Sequence, residues 1–154
     1  MYIIVVGAGK VGYHLTKLLL SQGHEVMLIE KDRVKVSAMM DELGESVLSG
    51  NGSTVATLRE AGANRADAVV AVTGHDEDNL VICQLCKMLF FTPRTIARVN
   101  NPANEGTFWT LGIDVTVSAT RLINAIIQEQ VTSPDLLTPL LTMRGGDTDI
   151  VQTT

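Results

Sequence analysis

An α/β fold with a parallel, doubly wound sheet is what this sequence predicts, and three observations predict it. An apolar strand, Ile3-Ile4-Val5-Val6, runs directly into Gly7-Ala8-Gly9-Lys10-Val11-Gly12, a G-x-G-x-x-G loop that opens an amphipathic helix. Eighteen residues after Gly12, Glu30 closes the next apolar run, where an acid completes a nucleotide-binding strand–helix–strand unit. Hydrophobic residues make up 45% of the chain and aromatics only 4%, so the core must be built of Val, Ile, Leu and Ala, the composition of strands buried on both faces.

The remaining elements follow in order. The first strand spans 2–6, and the helix after it, 11–22, stops at Gly23. A strand at 25–29 leads to a helix at 34–43 closed by Gly44, and a short strand follows at 46–48. Ser53-Thr54 starts a helix over 55–61 that ends at Gly62; a strand at 68–72 precedes a helix at 76–90, whose first residues Asp76, Glu77 and Asp78 suit the positive end of the helix dipole. After a strand at 95–99, Pro102 opens a helix over 102–111 that Gly112 closes, and a sixth strand lies at 115–117. Six strands joined by five helical crossovers give the Rossmann-like order.

From Ser118 to Val131 the residues Leu122, Ile123, Ile126, Ile127 and Val131 fall on one helical face. This crossover helix either covers the sheet or docks on a second copy of the chain. The domain is therefore read as 1–131, with 132–154 a linker and the start of a C-terminal regulatory subdomain: a strand at 140–143, a Gly145-Gly146 turn and a strand at 148–154. A lone hairpin is marginal by itself.

Charge narrows the function classes. At 154 residues the chain can bury a core without disulfides or metal, and its net charge of −5 gives no basic footprint for nucleic acid. The longest apolar stretch, 80–91, is interrupted by Gln84 and Lys87 and is too short to span a bilayer. No basic and apolar leader precedes the first strand, so a cytoplasmic location is expected. Cys83 and Cys86 form a C-x-x-C, but inside a helix and with no second pair; they read as buried structural thiols.

In an open sheet of this kind the ligand sits beyond the carboxyl ends of the strands, where four loops converge. Gly7, Ala8, Gly9, Lys10, Val11 and Gly12 form the phosphate loop, with Lys10 as a point charge. Glu30, with Lys31 and Asp32 beside it, is placed to accept ribose hydroxyls; Lys31 and Arg33 leave a ribose phosphate open. Asn51 and Gly52 allow either close approach of an adenine ring or a plain helix cap. Thr73 and Gly74 are the site candidates of the fourth loop, while His75 is a lone, solvated histidine. Arg98 is either a second cation for the ligand or the partner of an acid in that fourth loop. No metal-ligand set and no Ser-His-Asp arrangement is present in the pattern.

Taken together, Tyr2 to Gly12, Gly50-Asn51, the run Ala66 to Gly74 with Asp76 to Leu80, Thr95 to Asn100 and Leu111 to Asp114 closely resemble the RCK or KTN domain. That family comprises the nucleotide-binding regulators of potassium channels and of Trk/Ktr potassium uptake systems. The resemblance implies NAD(H) or ATP/ADP in the cleft, a homodimer joined through the crossover helix, and a ring, possibly an octamer, beneath a membrane-embedded potassium transporter or channel subunit. Membrane association would then run only through that partner. It also implies that Lys10 meets phosphates, Glu30 the ribose, Asp32 a further ribose or base contact, and Asn51 the adenine. Many members carry Pro-Glu where Ala119-Thr120 stands, which removes the expectation of a cation site there.

The expected function is a ligand sensor without catalysis. The competing expectation is a small NAD-dependent oxidoreductase or its detached cofactor domain, which the 37 residues after the sixth strand leave little chain to complete.

Overall fold

The computed structural model describes residues 1–132. Six strands form one parallel sheet: β1 Tyr2–Val6, β2 Glu25–Glu30, β3 Val47–Ser49, β4 Ala68–Ala71, β5 Arg94–Arg98 and β6 Val115–Val117, in the order β3-β2-β1-β4-β5-β6. The helices between them are α1 Lys10–Ser21, α2 Arg33–Leu43, α3 Val55–Glu60, α4 Asp76–Leu89 and α5 Glu105–Thr110. Every element predicted within residues 1–132 is present, and strand and helix ends move by no more than three residues. The one change of kind lies at Pro102–Asn104, where a 3₁₀ turn precedes α5. Asn101 explains it: its side chain accepts the Ala103 N–H at 3.1 Å, and proline at the next position fits that tight turn.

Alternation along β1 divides the core. Tyr2, Ile4 and Val6 face a cluster with Leu58 of α3, Ile82, Cys83 and Cys86 of α4, and Phe108 of α5. Ile3 and Val5 face the other side, with Met39 and Leu43 of α2 and Leu15 and Leu19 of α1 packed there. Two helices on one face and three on the other make the sheet doubly wound. Gly23, Gly44, Gly62 and Gly112 all take positive φ at or just past helix ends, the role their spacing predicts.

The contacts divide the chain after Val117. Beyond that point α6, Ala119–Thr132, is a 14-residue amphipathic helix whose first turn is closed by the Ser118 hydroxyl accepting the Arg121 N–H at 3.2 Å. The expected strands at 140–143 and 148–154 lie outside the described residues. No helix among the described residues is long and apolar enough to cross a membrane.

Candidate functional site

The crossovers leaving β1 and β4 pass to opposite faces, and the crevice this opens at the carboxyl ends of the strands is a cavity of about 360 Å³. The glycine loop forms one wall. Gly7, at φ +108°, packs so closely on the fourth loop that a Cβ there would lie 2.9 Å from the Thr73 nitrogen. At Gly12 a Cβ would stand 1.7 Å from the Gly7 carbonyl oxygen, so α1 starts flat against the loop. Gly9 differs, because a Cβ there would meet nothing within 4 Å. It lines the cavity, with open room on that side.

α1 begins without a side-chain cap and without an acid in its first turn. Its leading N–H groups, those of Lys10, Val11 and Gly12, have no intrahelical acceptor, and they carry the positive end of the helix dipole. An anion is the natural partner for such an end.

Glu30 is buried and ties three loops together. One carboxylate oxygen accepts the Ala8 N–H at 2.8 Å, the other the Asp32 N–H at 2.9 Å, and its carbonyl accepts the Gly50 N–H at 3.0 Å. Each carboxylate oxygen keeps lone-pair capacity for a hydroxyl donor. Asp32 caps α2 with Oδ1, which accepts the Val34 and Lys35 N–H groups at 2.9 and 3.4 Å. Asn51 folds its own loop by accepting from the Ser53 nitrogen at 3.0 Å and hydroxyl at 2.6 Å. Gly52 lies on β1, where a Cβ would come within 2.4 Å of a Val6 methyl.

The fourth loop is held from below. Asn79, fully buried, accepts from the Thr73 nitrogen at 3.0 Å and hydroxyl at 2.6 Å, and donates to the Thr73 and Arg98 carbonyls at 3.1 and 2.9 Å. Asp76 caps the loop after β5, accepting from the Asn100 nitrogen at 2.6 Å, the Asn101 nitrogen at 2.9 Å and the Asn104 amide at 2.8 Å. Burial opposes its charge, but these donors outweigh burial and hold the carboxyl below the usual aspartate range. Asp76 is therefore more than the dipole partner the sequence suggests.

Of the candidate residues, Gly7, Gly9, Glu30, Lys31, Asn51, Gly52, Thr73, Gly74 and Arg98 line the cavity together. Ala8, Lys10, Val11, Gly12 and Asp32 do not: the Ala8 N–H is taken by Glu30, Gly12 is closed against Gly7, and Asp32 caps α2. Arg98 has no acid partner among the described residues, since Asp76 is already held by the three asparagines. The sequence reading misses Lys35, which lines the cavity from the first turn of α2; its signal was its place three residues after the Asp32 cap. His75 and Asp78 also line the cavity. Cys83 and Cys86 are buried, and burial pushes their thiols up to about 12 and about 11, so neither is poised for redox chemistry. No group of residues able to hold a metal occurs among the described residues.

An open parallel sheet with a glycine loop on an uncapped helix and a buried acid ending β2 defines a nucleotide-binding class of α/β domain. Within that class the match is specific: the TrkA-N domain family model covers residues 3–119, and the chain belongs to that family. It is 38% identical over 151 residues to the Trk system potassium uptake protein TrkA homolog of Methanothermobacter thermautotrophicus, covering 98% of this chain and 69% of that protein. The GsuK channel bound to NAD superposes with a TM-score of 0.73 at 24% identity, covering 88% of this chain and 24% of that one. Shewanella denitrificans Kef CTD in its AMP-bound form gives 0.74 at 20% identity, covering 99% and 93%. At such identities the structures speak for the fold.

Proposed function

We propose that the chain is the regulatory nucleotide-binding domain of a potassium uptake or channel system, taking NAD(H) or an adenine nucleotide such as ATP or ADP in the cleft. The observation that carries this is the pairing of an uncapped α1 terminus, opened by Gly9, with the Glu30 carboxylate at the end of β2. Phosphate neutralises the helix end, and ribose hydroxyls donate to Glu30. Lys31 and Arg98 add charge to the cavity, and Lys10 stands at the loop's outer side. The names of the relatives support the potassium system: TrkA is named for Trk potassium uptake, and GsuK is a channel that binds NAD.

The partner is a membrane-embedded transporter or channel subunit, and the domain sits at the cytoplasmic face through it. The chain works as a homodimer within a ring, with α6 as the joining helix. It is a sensor and not an enzyme: His75 is the cleft's imidazole, and its ring has no hydrogen-bonding partner among the described residues. Calorimetric titration with NADH, ADP and AMP tests the reading, with micromolar binding expected for at least one. Steady NADH oxidation lost on His75→Ala would replace it with an oxidoreductase.

A further inference from the structure

A second hollow, between α1 and α2 on the outer side of the glycine loop, has no part in that reading. It measures about 520 Å³ and shares Gly9 and Lys35 with the cleft, so the two spaces adjoin at the loop. Lys10, His14 and Lys35 line it, and no acid does. None of the three bases makes an ion pair among the described residues, in a chain whose net charge is −5.

The surrounding acids have other partners, and only Glu42 is also attracted by one of these bases, His14. Glu42 is held by Lys17 at 2.8 Å and by the Tyr13 hydroxyl, and these two partners keep its carboxyl below the usual range. Asp32 accepts backbone N–H groups with one carboxylate oxygen, and Glu30 accepts one with each of its two. Lys10 and Lys35 thus bring positive charge to the loop without an ion-pair partner among the described residues.

We propose that this hollow is an accessory phosphate subsite, taking a phosphoryl group that the nucleotide carries outside the portion lying in the cleft. The inference rests on the nucleotide reading above and adds a specificity to it. A phosphomonoester offers about two negative charges and three acceptor oxygens, which matches two ammonium groups and an imidazole spaced around one opening. A ribose phosphate, as in NADP⁺, and a chain-end phosphate, as in ATP, are the two sources of that chemistry.

Calorimetry on the full chain with NAD⁺, NADP⁺, ADP and ATP separates them. Either NADP⁺ over NAD⁺ or ATP over ADP should show a preference of about tenfold, the size of one charge-assisted contact, and the preferred pair names the source. His14→Gln, at a residue that lines only the hollow, should erase most of that preference and leave the parent ligand's affinity within about twofold. Lys35→Gln should weaken the phosphorylated ligand more than its parent. Parent binding with no preference in either pair, or a preference that His14→Gln leaves intact, overturns the subsite alone. Absence of binding by all four ligands overturns the nucleotide reading and the subsite with it.

Discussion

The Glu30 carboxylate, at the end of β2, accepts the Ala8 N–H of the glycine loop at 2.8 Å. The acid proposed to meet ribose is therefore bonded to the loop proposed to meet phosphate. Glu30→Ala removes both functions and strands a buried N–H, so it should cost about 1–3 kcal/mol of stability in urea titrations. Its loss of affinity should be larger for ADP than for adenosine, because the phosphate loop is loosened too. Equal losses for both ligands would confine Glu30 to the ribose.

Two glycines of the same motif should fail in opposite ways. Gly9→Val adds a side chain where nothing lies within 4 Å, so the domain should keep its melting temperature and lose nucleotide binding. Gly12→Ala drives a methyl to 1.7 Å from the Gly7 carbonyl, so it should fail on stability before binding is reached. Circular-dichroism melts beside calorimetry read both outcomes, and a Gly9→Val protein that binds normally sinks the phosphate site.

Most of the sheet was legible because each strand is a short apolar run closed by a turn, and four of the helices, α1, α2, α3 and α5, end one or two residues before a glycine. Fully buried parallel strands need no register signal beyond that. The glycine loop was legible where the backbone itself requires glycine, as at Gly7 and Gly12. They were hidden where a polar side chain is consumed by structure, because a sequence gives the residue type and not the direction it faces. Asp32 reads as a ribose contact and turns out to cap α2. Asp76 reads as a dipole partner, and it is the knot between the loops after β4 and β5. Lys35 has no motif of its own and enters the cavity only through the turn that Asp32 sets.

Asp76 makes stability depend on pH. Its carboxyl titrates below the ordinary aspartate value of 3.8, because the asparagine donors outweigh burial. The stabilisation is complete above that value and is lost as pH falls through the lower folded one. Asp76→Asn should cost about 2–4 kcal/mol at pH 7, since it leaves backbone N–H groups facing an amide. The gap between wild type and variant in guanidinium titrations should narrow below the ordinary value. A gap that stays constant into acid would mean that shape at this site, not charge, supports the loops.

Cys83 and Cys86 should be silent in the folded state. With both thiols raised to about 12 and about 11 and both buried, a disulfide reagent at pH 8 should label neither until denaturant is added. Prompt labelling of the native protein would reopen a redox or metal role for the pair.

The proposed assembly rests on α6. Ile123, Ile126 and Ile127 expose 54%, 40% and 54% of their surface along one face of that helix, an arrangement that single exposed residues do not explain. A second copy presenting the same stripe satisfies both sides at once, as twofold symmetry requires. Full burial of such a side chain contributes roughly 1.5–3 kcal/mol, so a symmetric set outweighs the entropy of association only if several are covered together. Changing Ile126 and Ile127 together to Glu should therefore give monomers in sedimentation equilibrium. Nucleotide binding should persist, because every residue lining the cleft precedes Val117. A dimer of undiminished affinity would place the interface elsewhere, and a variant that loses its helical signal would assign the stripe to the protomer's own packing.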